Sequence, residues 1–190
     1  MTFPTTPTFN SLSIKSNVTY VGSETLNMRS QTRDLGGQRF EVSAGYPPMT
    51  AADFAPIWAY IAQRQGGQAF SVVLPRFSNQ LSTATGTANI NGSFSAGVSS
   101  VDIVGISGIL KAGDYIKFSN HDKVYLITAD RAGTGSLSIF PPLRTPISSA
   151  DDVVYESVPM RVKIKTPGMQ SYSHTLDKTI IFKLDLVEAL

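Results

Sequence analysis

Hydrophobic and polar residues alternate along much of this chain in short runs, the period-2 pattern of half-buried β-strands. Near the N-terminus, Leu12 and Ile14 alternate with serines and a lysine. Thr19 and Val21 predict the start of a second strand that ends near Gly22. The chain therefore opens with two predicted strands rather than with a helix.

A third strand follows a glycine pair. Gly36-Gly37 interrupts a polar stretch and predicts a hairpin turn. Phe40, Val42 and Ala44 then alternate with polar residues as far as Tyr46-Pro47-Pro48. Two consecutive prolines cannot donate to a β-ladder, so this strand has a definite end.

One segment, residues 50–67, has a helical period. Its apolar residues fall at i, i+3, i+4, i+7 and i+8, which predicts one buried face: Phe54, Ile57, Trp58, Ile61 and Ala62. Both Thr50 and Asp53 are suitable N-caps. With Thr50 as the cap, Pro56 falls in the second turn, where its ring clashes with the preceding turn. We therefore predict the helix proper from about Asp53 to Gln65, ending at a glycine pair.

The amino-acid composition changes in the middle of the chain. Residues 78–100 are mostly Ser, Thr, Asn, Ala and Gly, and this polar stretch fits either a weak strand or a crossing into a second domain. Clear β-structure begins again at Val101 and continues through a segment, Leu110 to Arg144, of short strands and Gly-centred turns. About five short strands at this spacing are typical of a Greek-key barrel such as an OB-fold.

The C-terminal strand is the clearest in the sequence. Its apolar face is Ile180, Phe182, Leu184 and Leu186. A strand this close to the C-terminus needs a partner, and the N-terminal strands are the most plausible ones. The predicted fold class is therefore mainly β: a split β-sandwich-like domain with one α-helix (residues 1–77 and 146–190) that carries an inserted OB-like β-barrel (residues 78–145).

Composition narrows the possible functions. The chain has 190 residues, 42% of them hydrophobic, and a net charge of +2 that is too balanced for a nucleic-acid surface. Cysteine is absent, which excludes disulfides, a thiolate nucleophile and a zinc–thiolate site. The first residues lack the pattern of a signal peptide, and no apolar run reaches the ~18–20 residues that span a bilayer. We expect a protein of an aqueous compartment, with neither nucleic acid nor a membrane as partner.

Candidate chemistry is sparse. His121 lies beside Asp122 in a predicted turn, where both residue types are favoured for conformational reasons, and His174 has no second histidine at metal-ligand spacing. No nucleophile elbow, phosphate-binding loop or zinc-protease motif occurs. We therefore predict no enzyme activity, no catalytic or metal-binding residues and no cofactor.

The predicted barrel raises the question of ligand binding, because OB-like surfaces bind oligonucleotides and oligosaccharides. Tyr115, Lys117 and Tyr125 are the candidate barrel-surface residues. Interleaved aspartates offset the nearby lysines, which argues against single-stranded nucleic acid. Two interpretations of the tyrosines remain open: they belong to the barrel core, or they recognise host-surface carbohydrate.

The order of these elements resembles a known family. The segment SQTRDLGGQRFEV, followed by YPPMTAADFAPIWAYIAQRQGGQAFSVVLP, resembles the belt domain of bacteriophage distal tail proteins. The block LKAGDYIKF, KVYLITA and GSLSIFPPLR, inserted before TIIFKLDLVEAL, is similar to the OB-like insertion of the T5 type. The resemblance covers roughly Arg29 to Leu190, although the polar residues 78–100 do not match it.

The resemblance implies a structural role in the virion. Members of that family form a ring, expected to be a hexamer, at the distal end of the phage tail, where it joins the tail tube protein to tip or baseplate hub proteins. Assembly in the host cytoplasm is implied as well. Other structural roles in the tail or baseplate remain open. The candidate ring-interface residues are Arg33, Arg39, Phe40 and Trp58.

Overall fold

The computed structural model describes residues 3–24, 26–75, 77, 81–166, 168, 170–175 and 178–190, without the side chain of Asp34. Over these residues the fold is mainly β, with one helix and a closed barrel, which confirms the predicted fold class. The predicted domain boundary at Ser78 lies outside the described residues.

The elements follow one another in short segments. The first are β1 (Ser11–Glu24), β2 (Ser30–Gly45), α1 (Ala51–Ala62), β3 (Phe70–Val73), β4 (Thr85–Ile90), β5 (Ser100–Ser107), β6 (Ile109–Leu110) and β7 (Tyr115–Phe118). The remainder are β8 (Val124–Ile127), β9 (Arg131–Ala132), β10 (Gly135–Phe140), β11 (Asp152–Val154), β12 (Pro159–Ile164), β13 (Tyr172–His174) and β14 (Ile180–Glu188).

The chain divides into two compact units. The first unit comprises Met1–Phe70 and Val162–Glu188, and the second comprises Ser71–Arg161 with Ala189–Leu190. A sheet of order β1-β2-β14-β12-β3, with β13 paired to β14, contains the strands of the first unit. Strands β3 and β12 carry the chain across the boundary between the units.

The first unit brings the two ends of the chain together. Strand β14 pairs antiparallel with β2, from Lys183 opposite Gly45 to Val187 opposite Glu41, which confirms that the closing strand pairs with an N-terminal one. Alternate residues of β14 are buried, as its sequence predicts. They contribute to an apolar core that contains Phe40, Val42, Ala44, Ile57, Ile61, Val162, Ile164, Phe182, Leu184 and Leu186.

Strands β1 and β2 form one long antiparallel hairpin, from Ser11 opposite Gly45 to Glu24 opposite Ser30. The predicted second strand ending near Gly22 and the predicted turn at Gly36-Gly37 are therefore wrong. Thr19 pairs with Gly37 while Tyr20 pairs with Asp34, so two residues of β2 bulge out of the ladder. Gly36 accommodates the bulge at φ 73° without ending the strand.

The helix begins earlier than predicted. Its N-cap is Thr50 rather than Asp53: the hydroxyl of Thr50 accepts a hydrogen bond from the backbone nitrogen of Asp53. Pro56 consequently lies inside the helix and is tolerated there on an exposed face. The buried face consists of Phe54, Ile57, Tyr60 and Ile61, so Tyr60 replaces the predicted Ala62.

The second unit contains a closed barrel of six strands in the order β10-β5-β4-β11-β7-β8. Strand β4 lies in the polar stretch at residues 78–100, so of the two alternatives for that stretch the weak strand is the one observed. Strand β11 differs from the sequence prediction, because it lies beyond residue 145, the predicted end of the barrel. Strand β11 pairs with both β4 and β7 and so completes the ring of strands. The barrel core is continuous and includes Ile103, Ile116, Phe118, Tyr125, Leu137 and Val153.

Candidate interaction surfaces

The first unit carries a long two-stranded hairpin, and we call its outer part, residues 18–24 and 26–38, the arm. Strand β14 pairs with β2 only between Glu41 and Gly45, so the outer part of the hairpin lies beyond that contact. In the described part of the chain, β1 pairs with β2 alone, which leaves the other edge of this 14-residue strand open. An open strand edge presents unpaired N–H and C=O groups that are ready to bind another chain.

The arm is unusually rich in exposed apolar side chains. Half of the large apolar residues that are exposed in the described chain lie on it: Val18, Tyr20, Val21, Leu26, Met28 and Leu35. Met28 is 87% exposed and Tyr20 67% exposed. Exposed apolar side chains concentrated in one place make the arm the candidate surface for contact with another molecule.

The base of the arm is fixed to the first unit by polar contacts. The carboxylate of Glu41 accepts hydrogen bonds from Asn17 and from Lys165, each at 2.6 Å. The hydrogen bond from Lys165 lowers the pKa of Glu41 below its ordinary value, although burial opposes the shift. The backbone nitrogen of Phe40 donates to the buried carboxylate of Glu188 at 3.1 Å. The arm therefore starts from an anchored base.

The four candidate ring-interface residues are not equivalent in the structure. Arg33 lies exposed on the arm, and Arg39 lies exposed just below it. Phe40 is only 2% exposed and belongs to the core of the first unit. Because a core side chain is not available to a partner, Phe40 is withdrawn from the candidate interface. The sequence suggested it because alternation alone does not tell which face of a strand is covered.

Trp58 is half-buried on helix α1. Its ring packs edge-on against Tyr172 at a centroid distance of 4.9 Å and stacks with Phe54 at 5.6 Å. Tyr172 is 41% exposed, so the outer side of this aromatic cluster reaches the surface of the first unit. Trp58 therefore packs within its own unit and leaves part of its ring open.

The three candidate barrel-surface residues also differ in where their side chains lie. Tyr115 and Lys117 point away from the barrel core, but Phe77 stacks on Tyr115 at 4.1 Å and Asp122 pairs with Lys117 at 2.9 Å. Burial raises the pKa of Tyr115. Tyr125 is fully buried and belongs to the barrel core. The core interpretation of Tyr125 is confirmed, and Tyr125 is removed from the candidate surface.

Among the described residues, no group of three or more His, Asp or Glu side chains is placed to hold a metal ion. None of the helical structure in that part of the chain is long and apolar enough to cross a membrane.

No known protein-family model matches the chain, and a search of curated proteins finds no match.

The arm is the surface that sequence reasoning missed. In its place the sequence predicted a short strand ending near Gly22, a polar stretch and a hairpin turn at Gly36-Gly37. The available signal was the presence of Tyr20, Leu26, Met28 and Leu35 in a stretch otherwise made of polar residues and glycine. Apolar residues that do not keep to one face cannot all be covered by a single sheet.

Proposed function

We propose that this protein is a structural component of a bacteriophage tail, a distal tail protein that forms a hexameric ring between the tail tube and the tip or baseplate. The observation that carries the proposal is the arm, an anchored hairpin with an open strand edge and exposed apolar side chains. A surface of this kind serves binding to other chains rather than chemistry on a small molecule.

The physical requirements of a ring are met by an arm of this type. A ring is built from one contact repeated head to tail, in which two different surfaces of the same chain meet and the rotation closes. The open edge of β1 supplies backbone hydrogen-bonding groups, and the apolar side chains of the arm supply the burial that stabilises a contact. A net charge of only +2 limits repulsion between the copies.

The neighbours in this proposal come from the resemblance stated above. They are further copies of the chain, the tail tube protein, and tip or baseplate hub proteins. The protein would be assembled in the host cytoplasm and located in the virion. The closed barrel of the second unit supports the likeness to the T5-type insertion, since a barrel is what that resemblance implies at this place in the chain.

The mass of the protein in solution tests the ring. Light scattering after size exclusion should give six times the chain mass of 20.5 kDa for the wild-type protein. The double variant Leu26→Ser/Met28→Ser should shift toward smaller species, because it removes two of the most exposed apolar side chains on the arm. The double variant Leu81→Ser/Val73→Ser removes exposed apolar side chains outside the arm and should keep the wild-type mass.

Two results would contradict the proposal. One is a strictly monomeric wild-type protein at high concentration that is also missing from purified tails. The other is an equal loss of mass in both double variants, which would show that the arm has no special part in association.

A second candidate function, recognition of host-surface carbohydrate by the barrel, has less support. Sugar binding by stacking needs an open aromatic face, whereas Tyr115 is covered by Phe77 and Tyr125 lies inside the barrel. A glycan array decides this point: binding that Tyr115→Ala abolishes would establish the function, and signals at background would remove it. Labelling the protein on intact tails distinguishes a ring at the distal end of the tail from a role elsewhere in the tail or baseplate, because the label shows where the protein lies.

A further inference from the structure

The segment that precedes β1, residues 3–9, packs on aromatic side chains of the first unit, and we call it the strap. The side chains under it form what we call the aromatic site: Tyr46, Tyr60 and Phe70. The ring of Phe3 stacks on Phe70 at a centroid distance of 5.6 Å and meets Tyr60 edge-on at 5.4 Å. The ring of Phe9 packs on Tyr46 at 4.7 Å. Two phenylalanine rings thus hold the strap to the aromatic site.

The strap is fixed by side chains rather than by its backbone. In the part of the chain that the structure describes, the backbone of residues 3–9 forms no hydrogen bond. The first bond to the sheet runs from the backbone nitrogen of Asn10 to the carbonyl of Gly45 at 3.0 Å. Both phenylalanines of the strap are only half-buried. The strap can therefore leave the aromatic site by a local opening that breaks side-chain contacts alone, with Asn10 still bound to the sheet.

The closed strap leaves one polar group unsatisfied. The side chain of Tyr46 is 4% exposed, and its buried hydroxyl has no hydrogen-bond partner among the described residues. A buried polar group without a partner costs free energy that contact with water recovers. When the strap leaves, the hydroxyl of Tyr46 gains hydrogen bonds, and this gain offsets part of the apolar contact that is lost.

The strap has the chemistry of a ligand as well as that of a cover. Its sequence, FPTTPTF, places an aromatic ring on either side of Pro4 and Pro7. Because proline fixes the backbone angle φ, ordering this segment costs less entropy than ordering a flexible one. Binding of proline-containing segments to aromatic surfaces is a recurring mode of recognition between chains. The aromatic site is therefore suited to an extended Phe-Pro segment, whichever chain supplies it.

We propose that the aromatic site is a docking site for the strap of a second copy of this protein. A neighbour's strap makes the same contacts as the chain's own strap, so the choice between them depends on distance rather than on contact energy. A tethered strap has an effective concentration on the order of millimolar, which keeps it in its own site when the protein is a dilute monomer. Copies held side by side present their straps at comparable concentration, so the straps exchange. The inference rests on the association of copies proposed above.

Photo-crosslinking of the full-length protein tests the exchange. The variant Phe3→p-benzoylphenylalanine carries a photoreactive aromatic side chain on the strap. Irradiation of the assembled protein should give a product of twice the chain mass of 20.5 kDa, in which mass spectrometry finds position 3 joined to Tyr60 or Phe70 of another copy. The matched control is Phe94→p-benzoylphenylalanine. Because Phe94 packs against the barrel core, this variant should crosslink within its own chain.

Binding of the strap as a free peptide gives a measurement that does not need the ring. The probe is a fluorescently labelled synthetic peptide of residues 1–10, added to the full-length double variant Phe3→Ala/Phe9→Ala. Fluorescence anisotropy should show that this variant binds the peptide about tenfold more tightly than the wild type, because the wild type must first release its own strap. A peptide in which alanine replaces both phenylalanines should not bind.

Two results would overturn the inference and leave the proposed ring intact. One is a protein of hexameric mass that crosslinks from position 3 only within its own chain. The other is equal binding of the peptide to the wild type and to the double variant. A wild-type protein that stays monomeric and gives no crosslink between chains would overturn the association and the exchange together. The crosslinking result decides alone if the double variant fails to fold.

Discussion

Gly105 shows how a single residue fixes the geometry of the barrel. The pairing of β4 with β5 shifts register between Gly86 and Asn89, and Gly105 lies opposite this irregularity at φ 91°. A Cβ atom at Gly105 would overlap the backbone carbonyl oxygen of Thr87, so the backbone of one of the two strands would have to shift. Glycine is required here both by the conformation and by the close approach of the neighbouring strand.

We expect Gly105→Ala to lower the free energy of unfolding by about 2–5 kcal/mol, the combined cost of a left-handed conformation and of an overpacked contact. The matched control is Gly97→Ala. Gly97 has a similar φ of 94°, but nothing lies within 4 Å of its Cβ position, so only the conformational cost of about 1–2 kcal/mol applies. Chemical denaturation measures both variants, and equal losses would show that the close approach to Thr87 is unimportant.

Asp114 is a second residue with a structural part in the barrel. It is 3% exposed, and its carboxylate accepts hydrogen bonds from the backbone nitrogen and the hydroxyl of Ser82 and from the backbone nitrogen of Leu81. Three donors thus converge on one carboxylate. The segment that precedes β4 is held to the turn before β7 by these bonds.

The variant Asp114→Asn should destabilise the protein by about 1–3 kcal/mol, because an amide replaces one accepting oxygen by a donor that faces other donors. Asp152→Asn, at an exposed position on β11, is the control and should change stability by less than about 0.5 kcal/mol. Denaturant titrations compare the two, and indistinguishable values would contradict the structural part assigned to Asp114.

For single residues, the sequence predicted which ones share a face of a strand more reliably than which ones are buried. It indicated correctly that the apolar residues of β14 share one face, since strict alternation leaves a single choice. It failed for Phe40, a candidate interface residue that is buried, whereas for Tyr125 it left a core and a surface interpretation open, and the core one is confirmed. An aromatic residue fits a core or an interface equally well, and only the layer packed above the strand distinguishes the two.

Helix α1 illustrates the element scale. The hydroxyl of Thr50 accepts from the backbone nitrogen of Asp53 and donates to the carboxylate of Asp53, and the carbonyl of Thr50 accepts from the nitrogen of Phe54. These bonds outweighed the cost of placing Pro56 in the second turn. The cap therefore decides where the helix begins.

Thr50→Ala should lower the free energy of unfolding by about 0.5–2 kcal/mol, because it leaves the first turn without a side-chain acceptor. Thr50→Ser keeps the hydroxyl and should stay close to the wild type. Circular dichroism followed through thermal unfolding distinguishes the variants. A serine variant as unstable as the alanine variant would mean that the threonine methyl group, rather than the cap, stabilises this end of the helix.

The strands that the sequence left open or bounded wrongly share a physical reason. Strand β4 buries few large side chains and is held by backbone pairing with β5 and β11, so its hydrophobic pattern is weak. Strand β2 continues through Gly36-Gly37 because a bulge, unlike a turn, leaves the partner strand in place. In both cases pairing with a partner strand determines the element, and the alternation of apolar residues does not report that pairing.

At the scale of the whole molecule, the pairing of β14 with β2 joins residues from both ends of the chain into one unit. The barrel lies between them in sequence and has its own core. This arrangement could be anticipated because the terminal strands carry strong alternation and need partners. The arm could not, since its exposed apolar side chains do not keep to one face and so give no strand pattern.

The central claim is that the arm joins copies of this protein into a ring. Electron microscopy of the purified protein tests it most directly. The account predicts particles with six-fold symmetry and a central opening, which are lost in Leu26→Ser/Met28→Ser and kept in Leu81→Ser/Val73→Ser. Fields of single 20.5 kDa particles at high protein concentration, or rings that persist in the arm variant, would contradict it.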